Sequence, residues 1–171
     1  MLSKKLQEAF NEQINREFFS EYLYLSMSAW CKSGNMDGIG NYFHVQAQEE
    51  HQHAMKFFNF IHDRGGTVTL KALDAPQSKF KSLIEIFEQT LEHEQFITKS
   101  INTLMSTALK EDDHAAVSFL KWFIDEQVEE EASVSKILHK IKLIKGEGHG
   151  LLMIDAELGQ RKFTPDTGNG E

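Results

Sequence analysis

Four glutamates constrain this chain more than any other feature. Positions seven apart on an α-helix lie along nearly the same line of its surface, and the residues seven before and seven after Glu17 are Phe10 and Tyr24. The same comparison gives Phe43, Glu50, Phe57, then Phe87, Glu94, Ile101, and then Phe123, Glu130, Ile137. Each carboxylate sits near the middle of an apolar stripe, on a separate helical stretch. One such glutamate is ordinarily a boundary residue that reaches solvent sideways. Recurrence on every long stretch argues otherwise. A carboxylate turned into a core is costly unless it is protonated, paired or bound to a cation. Stripes that pack together bring their glutamates together, and two divalent cations would balance the four charges.

The stretches themselves read as helices. Only 2 prolines and 11 glycines interrupt 171 residues, and long windows are rich in Leu, Glu, Gln, Lys, Ala and Met. The spacing predicts a first helix from about Ser3 to Cys31 on Leu6, Phe10, Ile14, Phe18, Leu25 and Trp30. Asn35 or Asp37 then caps a second that runs to about Arg64, with Phe43, Ala47, Ala54, Phe57 and Ile61 on its apolar face. After Gly65-Gly66 comes a link through Pro76, and Ser78 is read as the cap of a third helix ending near Ala108. Such a link is too long for a tight turn and can run along a bundle, so the third helix need not oppose the second. A fourth helix follows Glu111-Asp112-Asp113 and ends near Lys145, and Leu151 to Leu158 falls in a short fifth one, about 148–159. The fifth is apolar on too many sides for a free end and is expected to bury itself against other subunits. The fold class is all-α: one domain over 1–160, a four-helix bundle over about 3–145 with one long crossover, and a flexible polar tail over 161–171.

Composition narrows the partners. A formal net charge of -8 argues against nucleic acid or anionic membranes and favours cations. Cys31 is the single cysteine, which rules out a disulfide framework and a rubredoxin-like or zinc Cys-x-x-Cys box. The start, Met-Leu-Ser-Lys-Lys, lacks an apolar signal region, and no stretch is long enough to span a membrane, so a cytoplasmic location is expected.

Within Gln48-Glu49-Glu50-His51-Gln52-His53, Glu50 and His53 are three apart. A carboxylate oxygen and an imidazole nitrogen at that spacing reach the same point in space. Carboxylates with an imidazole suit iron better than the all-oxygen surroundings of magnesium or calcium. Glu-x-x-His alone is weak, since it is common on solvated faces. His44, His51, His62, His93, His114, His139 and His149 read as surface or capping residues, and Met27, Met55 and Met105 as core filler. The run from Asp125 to Glu131 would by itself be a solvated helix face.

In order, spacing and mid-helix placement, Glu17, Glu50-x-x-His53, Glu94 and Gln127-x-x-Glu130 resemble the bacterial non-haem ferritins, and the similarity extends from Leu2 to about Gln160. The resemblance implies a ferritin-like bundle with a ferroxidase centre: one iron on Glu17, Glu50 and His53, a second on Glu94, Glu130 and a bridging Glu50. Gln127 would hydrogen-bond beside it. Tyr24 matches the family's tyrosine next to the centre and Trp122 lies close in sequence, although an aromatic core residue with a bonded polar tip describes both equally well. A third iron position would use Glu49, Glu126, Glu129 and Glu130. The commonest di-iron bundles repeat Glu-x-x-His where this chain has Gln127-x-x-Glu130, so the second position lacks a histidine. His51 stands where a haem-binding bacterioferritin carries methionine, and no haem is expected. The implied activity is oxidation of Fe(II) by dioxygen or hydrogen peroxide, with ferric oxyhydroxide stored inside a homo-oligomeric shell of about 24 subunits. The rival readings are a di-iron peroxidase or oxidase that keeps its metal, and a metal-free scaffold, which has no reason to align a glutamate on every stripe.

Overall fold

The computed structural model describes residues 1–165. The expectation for the last part of the tail, 166–171, lies outside the described residues. Among the described residues there are five helices: α1 (Lys4–Ser33), α2 (Asp37–Asp63), α3 (Leu83–Lys110), α4 (His114–Leu143) and α5 (Gly148–Leu158). Their starts are written locally. Ser3, Ser82 and Asp113 each accept a hydrogen bond from a main-chain N–H of the first turn, at Leu6, Glu85 and Ala116, which satisfies donors a helix otherwise leaves open.

Two starts differ from the sequence reading. The cap of α3 is Ser82, not Ser78, because Glu85 reaches back to the Lys81 N–H at 2.5 Å and completes a box-like arrangement with the Ser82 side chain. At α2 the N-cap is Met36 and makes no side-chain bond. Asn35 instead takes a left-handed φ of 56° that closes the α1–α2 turn, a conformation asparagine tolerates.

The link over 64–82 follows α1 from end to end. Thr67 N donates to Gln7 Oε1 at 2.9 Å, Thr69 N to Asn11 Oδ1 at 2.7 Å, and the Ser26 hydroxyl to Gln77 O at 2.7 Å. The Trp30 and Phe80 rings meet at 5.9 Å near its end. The chain thus returns to the end of the bundle where α2 began, and the Phe87 ring at the start of α3 lies 5.1 Å from the Phe43 ring at the start of α2. Helices α1 and α2 are antiparallel, as are α3 and α4, while α3 runs parallel to α2. This is the expected long crossover.

The core is in two parts. One gathers Tyr24, Met27, Ile39, Phe43, Phe87 and Ile141 with their neighbours, and the other Leu6, Phe10, Phe57, Ile101, Leu120 and Phe123 with theirs. Between them lies a belt of buried polar side chains. Leu25, assigned to the stripe of α1 from its spacing, is exposed at 37%, and Leu23 and Tyr24 are buried instead. Phe18 and Trp30 are half-buried. Among the described residues no helix is long and apolar enough to cross a membrane.

Helix α5 covers the end of the bundle with Ile154 and Leu158. Asp155 Oδ1 accepts from Ile39 N at 2.8 Å, and the contact is so close that a Cβ on Gly38 would stand 1.7 Å from Asp155 O. Gly38→Ala must therefore push α5 away while the bundle stays folded. Hydrogen exchange should show amides of Gly148–Leu158 exchanging faster with those of α1 to α4 unchanged. Unaltered protection in α5 would mean that its docking does not depend on this approach.

Candidate metal centre

The polar belt is built by one turn from each long helix. Glu17, Glu50, Glu94 and Glu130 are exposed by only 1%, 2%, 1% and 5%, and His53 by 4%. The carboxylate expected on each stripe is thus in the core. Donor atoms of Glu17, Glu50 and His53 all lie within 4.8 Å of one another, a grouping that could hold a metal ion. The His53 Nδ1 to Glu50 Oε2 distance is 3.6 Å. Glu17 Oε2 is buried without a hydrogen-bond partner among the described residues. An orphaned acceptor of this kind is costly in a core and is what a cation would satisfy.

Neutral groups aim the other oxygens. Gln13 Nε2 donates to Glu17 Oε1 at 2.8 Å. Gln13 in turn accepts from the Ser100 hydroxyl, which accepts from Arg16. Gln46 Nε2 donates to Glu130 Oε2 at 2.9 Å. Gln127 Nε2 donates to Glu94 Oε2 at 3.1 Å and to Glu94 O at 3.2 Å, and the Tyr24 hydroxyl donates to Glu94 Oε1. Amides and a phenol orient carboxylates without cancelling their charge, so the attraction for a cation survives. Trp122 is half-buried, its ring 5.3 Å from that of His53, with the Lys56 ammonium 4.1 Å from its centre.

Gln13 and Gln46 were not singled out from the sequence, although each stands four residues before a stripe glutamate, Glu17 and Glu50. That spacing places them on the buried face. His93 also departs from its surface reading. It is half-buried with its ring edge-on to Tyr24 at 6.0 Å, its Nε2 2.7 Å from the Ser20 hydroxyl, and burial pushes it down to about 4.

Beside the belt, Glu49, Glu126, Glu129 and Glu130 line a cavity of about 250 Å³ with Ser133 and Arg161. Glu49 and Glu126 are half-buried and Glu129 is exposed. Arg161, assigned to the flexible tail from its polar setting, packs against this cavity with Nη2 2.6 Å from Glu49 Oε2.

Burial sets the protonation of the belt. It pushes Glu17 up to about 7, against the lowering effect of the Gln13 hydrogen bond. It pushes Glu94 up to about 8, with the Glu130 charge acting in the same direction. Glu50 stands well above the ordinary carboxylate range through burial and the neighbouring Glu94 and Glu17. Glu130 is raised by burial, partly offset by Arg161. Burial and the Glu94 charge hold the Tyr24 phenol well above its usual value.

One buried carboxylate on each of the four long helices, with Glu-x-x-His on one of them, is the pattern of the ferritin-like bundles that bind metal in their cores. The Ferritin-like domain matches residues 7–144. The chain is 46% identical over 155 residues to a bacterial non-heme ferritin of Campylobacter jejuni, covering 91% of this chain and 93% of that protein. It is 40% identical over 163 residues to one of Staphylococcus aureus, covering 95% and 98%. An Archaeoglobus fulgidus ferritin engineered into a closed form superposes with a TM-score of 0.94 at 46% identity, over 96% of this chain and 100% of that one. The chain belongs to the ferritin family.

The raised carboxyls give the metal-free protein a pH dependence of definite sign. In the unfolded chain these groups titrate near 4.5. Between that value and about 8 the folded state holds more protons than the unfolded one, so stability falls as pH rises through the window. Glu94→Gln should raise the apo melting temperature by roughly 2–4 °C at pH 8 and hardly at all at pH 5. An equal effect at both values would show that Glu94 does not titrate across the window.

Proposed function

We propose that this chain is the subunit of an iron-storing ferritin and a ferroxidase, oxidising Fe(II) to Fe(III) and depositing the product as ferric oxyhydroxide mineral. The observation that carries this reading is the buried layer in which donor atoms of Glu17, Glu50 and His53 lie within 4.8 Å of one another, with Glu94 and Glu130 of the other two long helices buried in the same core. Iron is the substrate. Glu17, Glu50 and His53 bind one Fe(II), and Glu94 and Glu130 bind a second with Glu50 as the shared ligand. Gln127 holds Glu94 in place. Glu49, Glu126 and Glu129 join Glu130 at a third position beside the pair. Tyr24, bonded to Glu94, and Trp122, edge-on to His53, are the aromatic neighbours of the centre.

Two Fe(II) ions supply two electrons to one dioxygen, which takes up two protons and leaves as hydrogen peroxide, so no free superoxide is formed. Hydrogen peroxide as oxidant accepts the same two electrons. Carboxylate ligands favour the higher charge of Fe(III). Metal binding ionises the belt and releases the protons that burial holds there. The second position has oxygen donors only, so it binds less tightly and suits iron that passes through. The shell is a homo-oligomer of about 24 subunits, with the exposed Leu152 and Met153 of α5 buried between them. The location is cytoplasmic, and neither haem, nucleic acid nor membrane takes part.

Metal-free protein given excess Fe(II) in air and passed through a sizing column should carry far more than ~3 ferric ions per chain in a large assembly, beyond what ligands can hold. A count that stops near ~2 would mean a fixed di-iron enzyme. Glu50→Ala, which removes the shared ligand, should slow initial oxidation at least about tenfold. The pair Gln127→Glu with Glu130→His should slow iron release from the centre, and unchanged release would count against the role given to the missing histidine.

A further inference from the structure

The acidic cavity beside the belt already contains a cation, and the chain supplies it. Arg161 Nη2 lies 2.6 Å from Glu49 Oε2, and the guanidinium carbon stands 4.7 Å from the centre of the Tyr42 ring. The backbone there is tied down. Arg161 N donates to Leu158 O at 3.2 Å, and Asn41 Nδ2 donates to Arg161 O at 2.9 Å. With the stem anchored, release of the guanidinium from Glu49 needs only a change of side-chain rotamer. Its Nη1 is buried without a hydrogen-bond partner among the described residues. A guanidinium fitted to a permanent partner normally presents its donors as a matched fork, and this one, in a half-buried pair, leaves a nitrogen unmatched.

We propose that Arg161 is a built-in competitor at the third iron position: its guanidinium pairs with Glu49 and offsets part of the charge of the four-glutamate cavity in the metal-free chain, and it leaves Glu49 when a metal cation binds there. The inference rests on the third-position reading given above. A cavity of about 250 Å³ brings any second cation close to the guanidinium, where like charges repel strongly at reduced dielectric. Glu49 Oε2 cannot serve both. The apparent metal affinity of the cavity is then its intrinsic affinity scaled by the fraction of chains with Arg161 swung out. A site held this way fills after the pair and empties as Arg161 returns, so the metal is passed on rather than kept.

The test uses the full-length assembled protein and zinc, which is redox-inert and reports binding without turnover. Crystals soaked in graded zinc are examined by anomalous scattering, and equilibrium dialysis counts the bound ions. Arg161→Gln should fill the cavity at about tenfold lower zinc than wild type, the shift expected if the open arrangement is a tenth populated. Arg161→Lys, which keeps the charge, should stay near wild type. Zinc on Glu17, Glu50 and His53 should respond equally in all three, which reports intact folding. In wild type, cavity occupancy should coincide with loss of Arg161 from Glu49 and Tyr42. Equal zinc entry in wild type and Arg161→Gln, with Arg161 still on Glu49, would overturn the competition and leave the third position standing. A cavity empty in both while the pair is saturated would overturn the third position, and the competition with it.

Discussion

Burying four carboxylates in one layer of a core is the constraint on which the rest of the structure depends. The charges cannot be left among hydrocarbon without partners, and they cannot be moved outward without ceasing to meet. The chain flanks them with apolar packing on both sides along each helix. Phe10 and Tyr24 bracket Glu17, and Phe43 and Phe57 bracket Glu50, so the belt divides the core into two clusters. A helix that must bury two hydrophobic segments around a polar middle has to be long, and the four run to 30, 27, 28 and 30 residues. The crossover follows from the same demand, since a link as long as α1 lets α3 start beside the start of α2 and brings all four midpoints level.

The belt is organised for a cation rather than against one. A core needing only to tolerate its glutamates would pair each with Arg or Lys. Here the groups that reach Glu17, Glu94 and Glu130 are the amides of Gln13, Gln127 and Gln46 and the phenol of Tyr24. They fix direction and leave the charge uncancelled. The cost shows in the raised carboxyl values, a penalty the folded state bears until a metal arrives. Function is stored in that instability, because whatever binds the folded chain and relieves it also stabilises it. Arg161 meets Glu49 at the side, outside the main layer, and Arg16 reaches Glu17 only through Ser100 and Gln13.

Much of this was legible beforehand because it rests on periodicity. The heptad positions of Glu17, Glu50, Glu94 and Glu130 and the Glu50–His53 spacing needed only helix geometry. Where periodicity is ambiguous, packing decides. Leu25 fits a helical stripe as well as Leu23 does, and only the neighbouring helices decide which of them is covered. Ser78 and Ser82 are both competent caps, and Glu85 selects the second. His93 is polar and was assigned to the surface, yet it is pressed against Tyr24 where α1 and α3 meet.

The sequence by itself determined that four helices form, that each carries a carboxylate at mid-length, and that a long link joins the second to the third. These are local properties, set by residue spacing, capping groups and the 3.6-residue turn. Only the tertiary structure decided which atoms meet across helices. It put the Gln46 amide of α2 on Glu130 of α4, the Tyr24 hydroxyl of α1 on Glu94 of α3, and Arg161 from beyond α5 on Glu49 of α2. These partners stand 84, 70 and 112 residues apart in sequence. No local pattern carries such pairings, because they arise from the packing of whole helices and from where the crossover and the fifth helix return the chain.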